Sequence, residues 1–231
     1  MKLRIKFTRT GPLKFLGHLD IMRYFQKAIR RSGIDISYTT GFSPHQIMSF
    51  AYPLGVGMES EGEYFDIEAD SVTSSDEMCE ALNREMADGF TICDIKMLPD
   101  KAVNAMASVS AASYKIFFKE EGCSFDFSKA LSKWNEAESV MYEKDGKKGP
   151  VLRDIKPFVF SLESSSDKSG ILLTCDASSA NNVKPFAVLK PLLEFIDVPF
   201  NEWEWQILRL DLFTRDSEDK LISLNDVGEK F

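Results

Sequence analysis

Leu3, Ile5 and Phe7 fall on one parity of the chain and Lys2, Arg4 and Lys6 on the other, which predicts a strand over Lys2–Thr8. Gly11-Pro12 breaks it. The period then changes to three and four. Leu19, Met22, Phe25, Ala28 and Ile29 predict a helix over residues 17–31 with those side chains toward a core, ended by Ser32-Gly33. Ile34–Tyr38 reads as a short strand. Gly41-Phe42-Ser43-Pro44-His45 has the composition of a turn and leads into a strand-like run through Phe50. Glu63–Glu68 alternates again. Ser74-Ser75-Asp76 heads a helix over residues 76–88, with Met78, Ala81, Leu82 and Met86 as its apolar side. Thr91–Leu98 follows as a strand.

Residues 99–111 are small and weakly patterned and read as a linker. The same grammar then recurs: a strand over Ser113–Lys119, a helix over residues 126–138, and a strand from Val140 with a hairpin signal at Asp145-Gly146. Strands over Val159–Glu163 and Gly170–Cys175 flank a turn at Ser164–Ser169. A helix over residues 184–196 and a strand over Glu202–Thr214 complete it. The predicted class is α+β, as two tandem ferredoxin-like (β-α-β-β-α-β) domains at 1–100 and 112–214, the second with an inserted hairpin. Residues 215–231 form a polar tail expected to fray.

A length of 231 residues suits two such domains, and 44% hydrophobic content suffices for packed cores. No apolar run approaches the ~20 residues that cross a bilayer, and the N-terminus lacks the continuous apolar core of a signal peptide, so a cytoplasmic protein is expected. Cys79, Cys93, Cys123 and Cys175 are too far apart for a zinc or iron–sulfur pattern and read as small buried side chains. No metal site and no cofactor motif is found.

Charge changes the picture more. The net charge is −8, yet residues 1–50 carry nine Lys or Arg against Asp20 and Asp35, which is +7, leaving −15 on the other 181 residues. Two readings follow: one face built for an anion, or a basic segment that pairs with acids elsewhere in the fold. Arg23, Lys27 and Arg30, spaced i, i+4, i+7, form a stripe on the first helix, and with Arg9 and Lys14 are candidate phosphate contacts. Lys2, Arg4 and Lys6 are instead expected to pair across strands with Asp66 and Glu68. In the loop, Phe42 can stack a base, while Ser43, His45 and His18 can orient a nucleic acid. The two histidines are the one candidate acid–base pair, for metal-independent RNA cleavage, at ~10²–10⁴-fold each.

Thr10-Gly11-Pro12-Leu13-Lys14-Phe15-Leu16-Gly17-His18-Leu19-Asp20-Ile21-Met22-Arg23, Gly41-Phe42-Ser43-Pro44-His45, Met48–Gly57, Glu59-Ser60 and Glu63-Tyr64-Phe65-Asp66, with a weaker block at Val151–Pro157, resemble the radical-SAM-linked proteins of unknown function. The family pattern continues from the histidine into proline and a basic residue, where this chain has Gln46 and Ile47. The resemblance implies a radical-SAM protein as partner in RNA or ribosome metabolism, and carries no catalytic residues. The tandem layout is also similar to CRISPR repeat-processing endoribonucleases, but their glycine-rich C-terminal loop has no counterpart in Trp203–Asp226. The expectation is therefore an accessory RNA-binding module. An RNA-processing enzyme and a pure protein-interaction module are the alternatives.

Overall fold

Strand β1 (Lys2–Arg9) buries the apolar parity of its sequence, Leu3, Ile5 and Phe7. It lies between β3 (Glu59–Glu68) and β4 (Phe90–Met97), antiparallel to both, with Ile5 opposite Phe65 and Ile95. β2 (Met48–Phe50) pairs antiparallel with the other edge of β3, Phe50 against Phe65. Two helices cover this sheet. α1 (His18–Ser32) buries Ile21, Phe25, Ala28 and Ile29, and α2 (Ser75–Asn83) buries Met78 and Leu82. Phe25 stands 4.7 Å from Phe7 and 4.9 Å from Phe65, ring centre to ring centre, and Phe50 stands 5.1 Å from Phe65. Tilted pairs of this kind add ~0.5–1.5 kcal/mol each beyond their buried area.

The computed structural model describes residues 1–120, 126–146, 149–166 and 170–231. They divide into two compact units, Met1–Ser110 with Arg209–Phe231, and Ala111–Leu208. The class is α+β. In the second unit, β5 (Ala111–Phe118), α4 (Ser128–Glu136), β6 (Met141–Gly146), β7 (Gly149–Asp154), β8 (Val159–Ser164), β9 (Gly170–Asp176), α5 (Pro185–Glu194) and β10 (Trp205–Arg215) follow in order. β9 lies between β5 and β8, antiparallel to both, and β10 adjoins β5. β6 and β7 form a separate two-stranded hairpin. Trp134 of α4, Leu189 and Leu192 of α5, and Ile171 and Leu173 of β9 are buried in this unit. Strand β10 changes unit at Leu208/Arg209. The expected turns at Asp145–Pro150 and Ser164–Ser169 fall partly, and Cys123 wholly, outside the described residues.

Several expectations are corrected. Leu19 is not a core residue but 58% exposed; His18, Ile21, Met22 and Phe25 form the inward seam instead, and Leu19 heads the outward face. Ile34–Tyr38 is no strand, only two isolated bridges at Ile36 and Tyr38. α2 stops at Asn83, whose side chain accepts from Ile92 N and donates to Ile92 O, closing the helix end onto β4. The stretch read as a linker holds α3 (Ala105–Ser108), and Ala105 N donates to Asp66 Oδ2 at 2.7 Å. Cys93 is exposed, while Cys175 is buried.

The polar tail does not fray. β11 (Leu221–Ser223) pairs with β10, and Leu224 in the following turn is buried. Glu229 and Met97 exchange backbone hydrogen bonds at 2.8 and 3.0 Å, and Phe231 O accepts from Ser75 N at 2.9 Å. β4 is an edge strand with unpaired backbone groups, and the tail supplies partners for them.

Candidate functional site

Most of the cations that make the first fifty residues basic are consumed internally. Arg4 is 2% exposed and donates to both Asp66 oxygens, at 2.8 and 3.0 Å, from the cross-strand position the alternation assigns to it. Lys6 reaches Asp211 at 3.4 Å, Lys14 reaches Glu59 at 3.3 Å, and Arg31 reaches Glu85 at 2.6 Å. Arg9 is 3% exposed. It is therefore no surface contact for a nucleic acid, and Lys14 is half-buried beside a carboxylate. A buried guanidinium must be hydrogen-bonded, and Arg9 donates to the carbonyls of Leu13, Lys14 and Leu16 at 3.0, 2.9 and 2.5 Å.

Those three carbonyls belong to the loop that delivers His18. A second guanidinium does the same for the segment after β2. Arg209 donates to Tyr52 O at 3.0 Å and Pro53 O at 3.4 Å, lies 4.8 Å over the Tyr52 ring, and meets Glu63 Oε1 at 2.8 Å. Burial pushes the Glu63 carboxyl above the ordinary glutamate value, with Arg209, and less strongly Arg9, pulling it back. Arg9, Glu63, His18, Phe50 and Tyr52 line a cavity of about 10 Å³. That is room for one water at most, far below the ~300 Å³ at which ligand pockets begin. The cluster holds two loops in place; it does not enclose a substrate.

His18 packs edge-on against Phe50, ring centres 5.3 Å apart. His45 is exposed, and its Nδ1 lies 3.1 Å from Thr39 Oγ1. The two histidines share no partner among the described residues, and His45 does not line the cavity that His18 lines. No group of three His, Cys, Asp or Glu able to hold a metal occurs among the described residues.

Two outward surfaces carry the other residues the sequence nominates. On α1, Arg23, Lys27 and Arg30 are exposed, and among the described residues none has a carboxylate within ion-pair distance. Leu19 continues their stripe toward the helix start. The other surface is the loop around Gly41. Its flanks are zipped: Thr39 N donates to His45 O and Ile47 N to Ser37 O, both at 2.9 Å, with Tyr38 opposite Gln46. Gly41 takes φ +116°, a left-handed value that turns the tip without the strain a Cβ would bring. Phe42 and Ser43 stand at that tip, Phe42 fully exposed.

Sequence reasoning missed Glu63, Arg209 and Tyr52. A signal existed. Arg9 continues the parity of Leu3, Ile5 and Phe7; Glu63 precedes Phe65 and Ile67; Arg209 follows Trp205 and Ile207. Charged residues on the inward parity of three strands are candidates for a buried cluster.

A family model described as an uncharacterized protein conserved in bacteria (DUF2344) matches residues 2–185. No curated protein matches the chain.

Proposed function

Since the chain belongs to the DUF2344 family, whose description names conservation in bacteria and no activity, we propose from the geometry that it is an accessory module whose first unit holds RNA along the outward face of α1 for a partner that performs the chemistry. The carrying observation is the stripe itself. Arg23 and Lys27 are one turn apart and Lys27 and Arg30 three residues apart, exposed and without carboxylates among the described residues. Like charges so placed cost ~0.2–0.5 kcal/mol per pair. The helix dipole favours Arg30 and Arg31 near the C-terminus and does nothing for Arg23. A polyanion laid along the helix would turn that repulsion into attraction. The stripe spans about 10 Å, the axial length of a few nucleotides.

Three phosphate contacts bind weakly, which suits a module that works beside another protein. In this reading the partner is a radical-SAM protein, on the resemblance of residues 10–23 and 41–66, and the setting is RNA or ribosome metabolism. We also read each unit as ferredoxin-like. The adjacency of β1 with β3 and of β5 with β9, the first and third strands of each β-α-β-β-α-β run, supports this.

The test is binding of a single-stranded RNA at rising salt. The parent should lose affinity with a log–log slope of about −2, from ~0.7 per phosphate contact. Arg23, Lys27 and Arg30 changed together to Ala should nearly abolish that slope while leaving the melting temperature unchanged or slightly higher. A slope the triple variant keeps would overturn the reading. One observation favours an acidic protein as the ligand instead: Leu19, 58% exposed, gives the stripe an apolar head. In that case a complex recovered from cells survives nuclease treatment and is lost on Leu19→Asp.

A further inference from the structure

Residues 36–58 contain no Asp, Glu, Lys or Arg, although 28% of the chain is charged; 28% of 23 residues is about six. This uncharged run holds the hairpin around Gly41 and follows, in the chain, the most basic helix among the described residues. The hairpin therefore offers no Lys or Arg to a phosphate, whereas α1 does. What the hairpin does expose is ring and hydroxyl groups: Phe42 completely, Tyr38 at 46%, and His45, with Thr40 and Ser43 between them.

We propose that this hairpin takes an unpaired nucleobase, with Phe42 as the stacking face and Tyr38 and His45 at its flanks. The inference rests on the RNA reading above and assigns that RNA to the single-stranded class. Two features favour a base over an apolar protein surface. Phe42 is flanked in the chain by Thr40, Gly41 and Ser43, none of which extends its ring into an apolar stretch. The base of the hairpin is pinned, since His45 N donates to Thr39 Oγ1 at 3.1 Å in addition to the backbone bonds from Thr39 N to His45 O and from Ile47 N to Ser37 O, which limits the ordering that binding requires. A duplex hides base faces and leaves phosphate to read; a single strand offers both.

The experiment measures fluorescence anisotropy with labelled oligouridylate, alone and annealed to oligoadenylate, for the parent, Phe42→Ala, Phe42→Trp and the Arg23/Lys27/Arg30 triple Ala variant. Phe42→Ala should weaken single-strand binding about tenfold or more, from the value of one base–aromatic stack, leave duplex binding unchanged and melt as the parent does. Phe42→Trp should restore binding. Equal binding of strand and duplex by the parent, with Phe42→Ala without effect, overturns the hairpin inference while the α1 reading stands. No salt-dependent binding of either probe overturns both. Loss in Phe42→Ala of a nuclease-resistant protein complex, with RNA binding intact, assigns the hairpin to a protein and also overturns the inference.

Discussion

Arg209 meets Glu63 at 2.8 Å in a place where the neighbouring inward positions of both strands hold phenylalanine and isoleucine. Neither side chain can reach water to any extent, at 1% and 5% exposure. Each therefore depends on the other, and on Arg9 nearby, to remain tolerable inside the core.

This dependence predicts strong non-additivity. Glu63→Leu leaves two guanidiniums facing each other, and Arg209→Met leaves the carboxylate with Arg9 and releases the Tyr52 and Pro53 carbonyls. Each single change should cost ~3–5 kcal/mol, the usual penalty for breaking a buried pair. The double change should cost clearly less than the sum. Urea unfolding of the four proteins measures the coupling, and additivity within ~0.5 kcal/mol would show that the pair is not a unit.

Gln46, 5% exposed and with no hydrogen-bond partner for its amide among the described residues, predicts the opposite sign. A buried amide without partners costs ~1–3 kcal/mol, and a leucine of similar volume removes that cost. Gln46→Leu should raise stability by about 1–2 kcal/mol in the same unfolding assay. A loss of stability would mean that the amide is satisfied in solution.

Tyr64 predicts the response to alkali. Burial first, and then the neighbouring Asp211 carboxylate that accepts its hydroxyl proton, push the phenol above its ordinary value of 10.0. Below pH 10 both the native and the unfolded phenol keep their proton, so the stabilisation is complete. Above it the unfolded chain loses the proton and the native protein does not. Stability should therefore fall by about 1.4 kcal/mol per pH unit from this group. Tyr64→Phe should lack that component, as read by chemical unfolding across the alkaline range.

The sequence carries its elements unevenly. The two helices that open each half and the hairpin β6–β7 announce themselves because period and turn chemistry are local properties. Arg4 against Asp66 is also legible, since alternation fixes which residues share a sheet face. The first turn of α1 is misread although its spacing is legible: Ile21 lies four residues before Phe25 and seven before Ala28 and joins the buried stripe, while Leu19 lies four before Arg23 and joins the exposed one. The tail misleads because the bonds that hold it are backbone bonds to β10, to Met97 of β4 and to Ser75, which composition does not encode. The anion-binding candidates Arg9 and Lys14 fail for a related reason. Charge counting along a chain cannot show that Leu13, Lys14, Leu16 and Glu59 will close around them.

The passage of β10 from one unit to the other has a consequence for biosynthesis. Residues 1–110 contain every strand and helix of the first unit except those after Leu208, but they lack the counter-ion for Glu63. A nascent chain must therefore wait through a hundred further residues, roughly 5–20 s of synthesis, before its first core can close around that carboxylate. The earlier half is finished last, and a fragment cut after Ser110 should behave as an unripe intermediate.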